Sequence, residues 1–90
     1  MKPAASREAV LQTEFRTDFL DWAEADPAVA QRVVRMMEAV LRDPSSGPGK
    51  PEPLKHALAG CWARRITQEH RLVYRVSGRR IDFLQARYHY

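Results

Sequence analysis

The sequence predicts an α+β fold in which two helices pack on one face of a mostly antiparallel sheet, in the order β-α-α-β-β-β. Apolar residues recur at helical spacing between positions 13 and 42. A loop dense in Pro, Gly and Ser covers 45–53, and the periodicity then becomes strand-like as far as position 88. With 90 residues in all, we expect an N-terminal extension over 1–9 and one domain over 10–90.

Two helices are predicted in the first half of the chain. After a short strand at Val10–Gln12, Thr13 is a suitable N-cap for a helix over Glu14–Ala25. Asp26 then precedes a proline that fits the first position of a second helix, over Pro27–Arg42. Apolar residues form one stripe on each helix: Phe15, Phe19, Trp22 and Ala23 on the first, and Val29, Val33, Met37, Val40 and Leu41 on the second.

Two hairpins are predicted in the second half. Their four strands are Leu54–Leu58, Trp62–Thr67, Arg71–Val76 and Ile81–Tyr88. The register of the last three depends on the length of each turn. A two-residue turn at Gln68-Glu69 would pair Ile66 with Arg71, whereas a three-residue loop pairs Thr67 with Arg71.

Three-residue loops at Gln68–His70 and Ser77–Arg79 separate charged residues from core residues best, so we prefer this register. One face then holds the polar residues Arg65, Thr67, Arg71, Arg87 and His89. The other face holds Ile66, Leu72, Tyr74, Val76, Leu84 and Ala86. The same register leaves three apolar residues on the basic face: Val73, Ile81 and Phe83.

The positive charge lies in the second half of the chain. Residues 1–49 carry six Lys and Arg against eight Asp and Glu, a net charge of −2, and residues 50–90 carry nine against three, a net charge of +6. A basic half with interleaved aromatic residues favours a polyanionic partner such as nucleic acid. The single cysteine, Cys61, is interpreted as a packing residue and favours a reducing, cytoplasmic location. No membrane-spanning run, zinc-binding spacing or phosphate-binding loop occurs, so no membrane partner, metal or cofactor is expected.

Two segments carry candidate catalytic groups. Glu52 lies between Pro51 and Pro53, which restrict the backbone and hold the carboxylate on a stiff arm. An ordinary exposed glutamate is the alternative interpretation of this segment. His89 lies one residue from the chain end, where a histidine is usually idle, but the tyrosines on both sides of it can stack on nucleic-acid bases.

Three segments together resemble the YoeB/Txe toxins of the RelE superfamily: Gly49–His56, Trp62–Tyr74 and Arg87–Tyr90. The similarity runs in order, with matching spacing, from about Val10 to the chain end. It implies the RelE-like fold, with the element order given above, and the toxin of a type II toxin–antitoxin system. Such toxins are ribosome-dependent endoribonucleases, which cleave mRNA in the ribosomal A site without a metal ion and so inhibit translation.

The resemblance also implies a role for each matching residue. Glu52 resembles the general base, Arg71 the group that stabilises the phosphorane-like charge, and His89 the general acid. The expected RNA- and phosphate-binding residues are Lys55, Arg65, Tyr90 and, from the preferred register, Arg87.

The resemblance implies two kinds of partner. One is an antitoxin of the YefM type, from the Phd/YefM family, through which alone operator DNA is contacted. The other is the ribosome with its mRNA. The oligomeric state stays open, a homodimer included. Two other functions stay open as well: a ParE-like toxin that acts on DNA gyrase, against which Glu52 and His89 argue, and a nucleic-acid-binding module without catalysis.

Overall fold

The computed structural model describes residues 7–55 and 60–87 of the chain. In this part, two helices pack on a five-stranded sheet, which confirms the predicted α+β fold. Four strands follow the helices, one more than in the predicted order β-α-α-β-β-β. The elements are β1 (Glu8–Leu11), α1 (Thr13–Ala25), α2 (Pro27–Arg42), β2 (Glu52–Pro53), β3 (Cys61–Arg65), β4 (Arg71–Ser77) and β5 (Arg80–Gln85).

The sheet is mixed rather than wholly antiparallel. Its strands lie in the order β1-β5-β4-β3-β2, with β1 parallel to β5 and each other neighbouring pair antiparallel. The two helices connect the strands at opposite edges of the sheet and cover one of its faces. We call this face the helix face and the opposite one the far face.

Both helices form close to their predicted bounds. α2 covers Pro27–Arg42 as predicted, with Asp26 before it and Asp43 after it. A proline at the first helical position loses no hydrogen bond, since that N–H has no acceptor within the helix. α1 begins at Thr13, one residue earlier than predicted, and the residue before it is Gln12. No helix in the described part of the chain is long and apolar enough to cross a membrane.

The main core lies between the helices and the helix face of the sheet. Phe15, Val33 and Val40 from the predicted helical stripes are buried in it. The sheet contributes the fully buried residues Leu72, Tyr74, Ile81 and Phe83. Burying one such side chain stabilises the folded state by roughly 1.5–3 kcal/mol, so these residues fix how the sheet faces the helices.

β3 and β4 pair two residues away from the predicted register. Arg65 lies opposite Arg71, so the strands are joined by the five-residue loop Ile66–His70, and the predicted pairing of Thr67 with Arg71 is wrong. The longer loop forms because the Thr67 side-chain oxygen accepts the backbone N–H groups of residues 69 and 70. A shift of two residues leaves each side chain on its predicted face, so Arg65 and Arg71 still share one.

β4 and β5 pair one residue away from the predicted register, which exchanges the two faces of β5. A two-residue turn replaces the predicted three-residue loop, with a φ of +60° at Gly78, and Val76 lies opposite Ile81. Ile81 and Phe83, expected on the basic face, are fully buried in the main core. The burial of these two large side chains outweighs the separation of charge that favoured the predicted register.

A β-bulge near the end of β5 shifts the pairing by one residue, so that the residues after it return to their predicted faces of the sheet. Residues 83 and 85 lie opposite adjacent residues of β4, so Leu84 is the extra residue. Leu84 packs on the far face instead of in the main core, where it was expected. Ala86 is fully buried in the main core, as predicted.

The strand predicted over Leu54–Leu58 is wrong in its described part. β2 is the two-residue strand Glu52–Pro53, no strand is assigned at Leu54 or Lys55, and residues 56–58 lie outside the described residues. Contact with β3 begins earlier in the chain than predicted, because the Arg65 N–H donates to the carbonyl oxygen of Gly49 at 2.7 Å. Proline has no N–H to extend a ladder, which keeps the strand short.

A buried arginine organises the loop between α2 and β2. The side chain of Arg64 lies on the helix face and is fully buried. Its guanidinium donates to the carbonyl oxygens of Pro48 and Ser46, at 3.2 and 2.8 Å, and to that of Asp43. Its Nε donates to the Tyr74 hydroxyl at 3.1 Å. A buried charge is tolerated only when its donors are satisfied, and here the loop carbonyls satisfy them.

Further hydrogen bonds fix the same loop. The Tyr74 hydroxyl donates to the carbonyl oxygen of Pro44 at 2.5 Å, and burial raises the pKa of Tyr74, so the hydroxyl keeps its proton. The Asp43 carboxylate accepts the Ser46 hydroxyl at 2.7 Å and the Ser45 N–H at 3.1 Å, and these bonds hold the pKa of Asp43 below its usual range. The loop is thus tied to β3, to β4 and to the end of α2.

We predict that Arg64→Met lowers the free energy of unfolding by about 2–4 kcal/mol, because the substitution leaves three loop carbonyls and a buried hydroxyl without their donor. Urea unfolding measures the change. Arg75→Met is the matched control, because Arg75 is exposed on β4 and should change stability by about 0.5 kcal/mol or less. Equal unfolding midpoints for the two variants would contradict a structural role for Arg64.

Candidate active site

The far face of the sheet brings three of the predicted site residues together. Glu52 on β2 lies opposite Ala63 on β3, and Arg65, two residues further along β3, lies opposite Arg71 on β4. Directly paired residues of antiparallel strands point to the same face. One carboxylate and two guanidinium groups therefore project from three adjacent strands on the same side of the sheet.

The spacing of a sheet sets the distances between these groups. Neighbouring strands lie about 4.8 Å apart, and residues two apart along a strand lie about 6.8 Å apart. The Cα atom of Glu52 is therefore roughly 8 Å from that of Arg65 and roughly 12 Å from that of Arg71. Glutamate and arginine side chains are long enough to reach one phosphodiester group bound between them.

Arg65 and Arg71 form a cross-strand pair of like charges. Such a pair is unfavourable by itself, since the two Cβ atoms lie only about 5 Å apart. Nη1 of Arg71 donates to the carbonyl oxygens of Thr67, Gln68 and His70, each at 3.3 Å, which holds this guanidinium beside the β3–β4 loop. The fixed guanidinium of Arg71 and the exposed Arg65 on the neighbouring strand together form a site for an anion such as a phosphate.

A small apolar cluster lies beside these charges on the far face. It contains the buried residues Leu54, Cys61, Ala63 and Val73, with Leu84 packed against them. The burial of Cys61 confirms that it is a packing residue. Ala63 lies opposite Glu52, and the pair Ala63 and Val73 lies next to the pair of arginines on the same face. The charged groups therefore stand beside packed, buried side chains that hold the backbone in place.

Glu52 is exposed on an arm whose base is fixed. Gly49 adopts a φ of +87°, and a Cβ atom there would lie 2.5 Å from Met36 Cε and 3.0 Å from the Arg65 carbonyl oxygen. Only glycine fits this close approach of the loop to α2 and β3. The close packing of Gly49 and the hydrogen bonds from Arg64 together fix the loop, and Glu52 follows Gly49 by three residues.

Two side chains of α1 hold the chain where it leaves β5. The Asp18 carboxylate accepts the backbone N–H of Ala86 at 2.9 Å, and the Trp22 indole N–H donates to the carbonyl oxygen of the same residue at 2.7 Å. Asp18 and Trp22 are one helical turn apart, so they reach the chain side by side. We call this arrangement the Ala86 clamp.

Arg87 continues this contact with α1. Its Nη1 lies 2.7 Å from Oδ2 of Asp21, and its guanidinium carbon is 5.9 Å from the centre of the Trp22 ring. The expected position of Arg87 beside Arg65 and Arg71 rested on the β5 register that the structure corrects, and this guanidinium is paired with the helix instead. Its role in binding phosphate stays a prediction.

The clamp also lies close to the β3–β4 loop, whose last residue, His70, precedes Arg71. The rings of Trp22 and His70 are 4.9 Å apart and meet edge to face. The end of the described chain is therefore near the β3–β4 loop. Lys55 is exposed just beyond β2, and His89 and Tyr90 lie outside the described residues.

Sequence reasoning missed Arg64, Asp18 and Trp22 as organising residues. The spacing of Asp18 and Trp22 could have indicated their role. A carboxylate and an indole at positions i and i+4 of a partly apolar helix face can both form hydrogen bonds to the backbone of one neighbouring residue. The sequence indicates the role of Arg64 less clearly. Arg64 occupies a position in β3 where the alternation of the strand places a core residue. Among the described residues, no group of three or more His, Cys, Asp or Glu could hold a metal ion.

Comparison with known proteins identifies the family. A family described as the YoeB-like toxin of bacterial type II toxin–antitoxin systems matches residues 11–90. This chain belongs to the YoeB toxin family. Toxin YoeB of Mycobacterium bovis is 53% identical to it over 73 residues, which cover 81% of this chain and 86% of that protein.

Solved structures of YoeB toxins have the same fold. The YoeB/ParE toxin from Agrobacterium tumefaciens superposes with a TM-score of 0.88 at 40% identity, over 92% of this chain and 99% of the other. The toxin in the heterotetrameric YoeB-YefM complex from Staphylococcus aureus superposes with a TM-score of 0.83 at 31% identity, over 96% and 100%. The protein is thus a YoeB-family toxin of a type II toxin–antitoxin system.

We predict that Asp18→Ala lowers the free energy of unfolding of this YoeB-family protein by about 1–3 kcal/mol, because it leaves the buried N–H of Ala86 without an acceptor. Asp18→Asn is the matched control: its amide oxygen can still accept that bond, so most of the stability should return. Chemical denaturation of the three proteins measures both values. A loss in Asp18→Asn as large as that in Asp18→Ala would show that the clamp does not depend on the hydrogen bond.

Proposed function

We propose that this YoeB-family toxin cleaves mRNA in the ribosomal A site, without a metal ion, by acid–base attack of a ribose 2′-OH on the adjacent phosphodiester. The observation that carries the proposal is the placement of Glu52, Arg65 and Arg71 on one face of three adjacent strands. General base and anion-stabilising groups are two of the three requirements of this reaction.

Each group has one chemical role. Glu52 takes the proton of the 2′-OH, whose oxygen attacks the phosphorus atom. Arg71, with Arg65 beside it, stabilises the negative charge that builds up on the phosphate oxygens. His89 gives a proton to the departing 5′-oxygen. The products are a 2′,3′-cyclic phosphate on one RNA fragment and a 5′-OH on the other.

The strand order supports these roles. The attacking and departing oxygens lie on opposite sides of the phosphorus atom, so base and acid must act from opposite sides of the phosphate. Glu52 is on β2, the two arginines are on β3 and β4, and the chain end that carries His89 follows β5. Across the sheet, the strand with the proposed base comes first, the two strands with the anion-binding arginines come next, and the strand that leads to the proposed acid follows.

The Ala86 clamp supports the role of His89. The clamp lies against His70, the residue before Arg71, and His89 is the third residue after Ala86. Three extended residues span at most about 10 Å. A histidine on so short a tether is within reach of a phosphate held by Arg71.

Translating ribosomes with a defined mRNA, read by primer extension, test the proposal. We predict that Glu52→Gln, Arg71→Gln and His89→Ala each reduce A-site cleavage by at least about 10²-fold while the proteins stay folded. Arg75→Gln, on the same strand as Arg71, is the control for lost positive charge and should keep most of the activity. Full cleavage by a folded Glu52→Gln or His89→Ala variant would remove that residue from the mechanism.

The same assay separates the alternative functions. Ribosome binding without any cut would favour a nucleic-acid-binding module, and gyrase-dependent DNA damage in cells would favour a ParE-like toxin. A cytoplasmic location fits each of these targets. The operator contact through the antitoxin and a homodimeric state stay predictions.

We also propose that a YefM-type antitoxin inhibits the toxin by covering the far face. The relative from Staphylococcus aureus forms a YoeB-YefM complex. Here, residues 50–90 carry a net charge of +6, which attracts an acidic, partly disordered segment. Such a segment can order along Glu52, Arg65 and Arg71 and block access of RNA.

Hydrogen exchange with and without the antitoxin tests this direct inhibition. We predict slower exchange at residues 49–55 and in the loop Ile66–His70, which border the far face. Reduced exchange confined to α1 and α2, with no change at these two segments, would indicate allosteric inhibition instead.

A further inference from the structure

A cavity of about 660 Å³ opens beside the arginine pair, at the end of β3. It lies between α2 and the β3–β4 loop, and of the residues assigned above to catalysis only Arg65 lines it. Its lining residues are Arg32, Met36, Gly49, Lys50, Arg65, Ile66, Thr67 and Gln68. The cavity is open to solvent, and its volume falls within the range of small-molecule sites in proteins.

The charge of this cavity is entirely positive. Arg32, Lys50 and Arg65 contribute three cations, and no carboxylate lines the cavity. Nη1 of Arg32 donates to the carbonyl oxygen of Ile66 at 3.0 Å, which fixes this arginine against the opposite wall. These cations come from three different segments of the chain, and a lining of this kind favours an anion such as a phosphate.

The remaining lining residues suit the other parts of a nucleotide. Met36 and Ile66 offer an apolar surface on which a base can pack. Thr67 and Gln68 offer hydrogen-bonding groups that a ribose or a base edge can use. The lining thus combines a cationic part with an apolar part, as a nucleotide requires.

The cavity is continuous with the candidate active site. Arg65 lines the cavity and also stands opposite Arg71 on the far face. Lys50 lies two residues before Glu52 on the same arm. An RNA strand whose phosphate is held between Glu52 and Arg71 can therefore enter the cavity with its next nucleotide, by passing Arg65.

We propose that this cavity is a nucleotide subsite, in which Arg32, Lys50 and Arg65 bind a phosphate of the RNA strand that flanks the cleaved bond. The inference rests on the proposed ribonuclease function and adds Arg32 and Lys50 to the RNA-binding residues. Both act on binding and not on the chemical step.

Arg32→Gln is the variant that tests the subsite, with Arg35→Gln as its matched control. Arg35 is exposed on the same helix, three residues further on, and does not line the cavity, so both variants lose one positive charge. In ribosome-dependent cleavage, Arg32→Gln should raise KM by about 5–10-fold with kcat within about twofold of wild type. Its salt dependence should be shallower by about 0.7 in the slope of log affinity against log salt, which corresponds to one lost contact to single-stranded phosphate.

A second measurement separates this inference from the proposed function. A 2′-O-methyl RNA hexamer has no free 2′-OH and is not cleaved, so its binding can be followed by NMR whether or not the protein is a nuclease. We expect amide shifts at Gly49, Lys50 and residues 66–68 that are lost in Arg32→Gln and kept in Arg35→Gln. If wild type cuts no mRNA but shows these shifts, the ribonuclease proposal fails and the cavity remains an RNA-binding site.

Three results would overturn the subsite. One is equal KM and equal salt slope for the Arg32→Gln and Arg35→Gln variants of an active toxin. Another is a loss of kcat at unchanged KM in Arg32→Gln, because it would place Arg32 in the chemical step. The third is hexamer binding that leaves the amides around the cavity unshifted.

Discussion

The buried guanidinium of Arg64 is the contact on which the position of Glu52 depends. It bonds three carbonyl oxygens of the loop between α2 and β2, together with the hydroxyl of Tyr74. A loop rich in Gly, Pro and Ser has little apolar surface of its own, so bonds of this kind are what give it one conformation. β2 is only two residues long, and it could not hold a carboxylate in place without a fixed loop before it.

A second constraint fixes the other side of the site. Asp18 and Trp22 bond both backbone groups of Ala86, so the chain leaves the sheet at a defined point, close to the β3–β4 loop that precedes Arg71. Buried and half-buried side chains thus hold both sides of the proposed site, while Glu52 and Arg65 stay exposed. This division suits a ribonuclease without a cofactor, because its rate depends on placing a few ordinary side chains accurately.

The sequence predicted the fold well wherever local patterns determine it. Helical periodicity and Asp-Pro pairs defined α2 to the residue, and the family resemblance pointed to Glu52 and Arg71. Strand register was harder, because it depends on turn geometry and on the competition between side chains for the core. Ile81 and Phe83 are buried in the core, although the register that separates the charges best would have placed them on the basic face. Arg64 was missed because an arginine in a strand normally predicts an exposed position.

The most direct measurement concerns the chemistry at the cleaved bond. An mRNA is prepared with one 2′-deoxynucleotide on the 5′ side of the A-site bond that wild type cuts, and an all-ribose mRNA serves as control. If the 2′-OH is the nucleophile, the deoxy bond stays intact on the ribosome, and the control yields a 2′,3′-cyclic phosphate and a 5′-OH. Cleavage at the deoxy position, or a 5′-phosphate on the control product, would contradict the proposed mechanism.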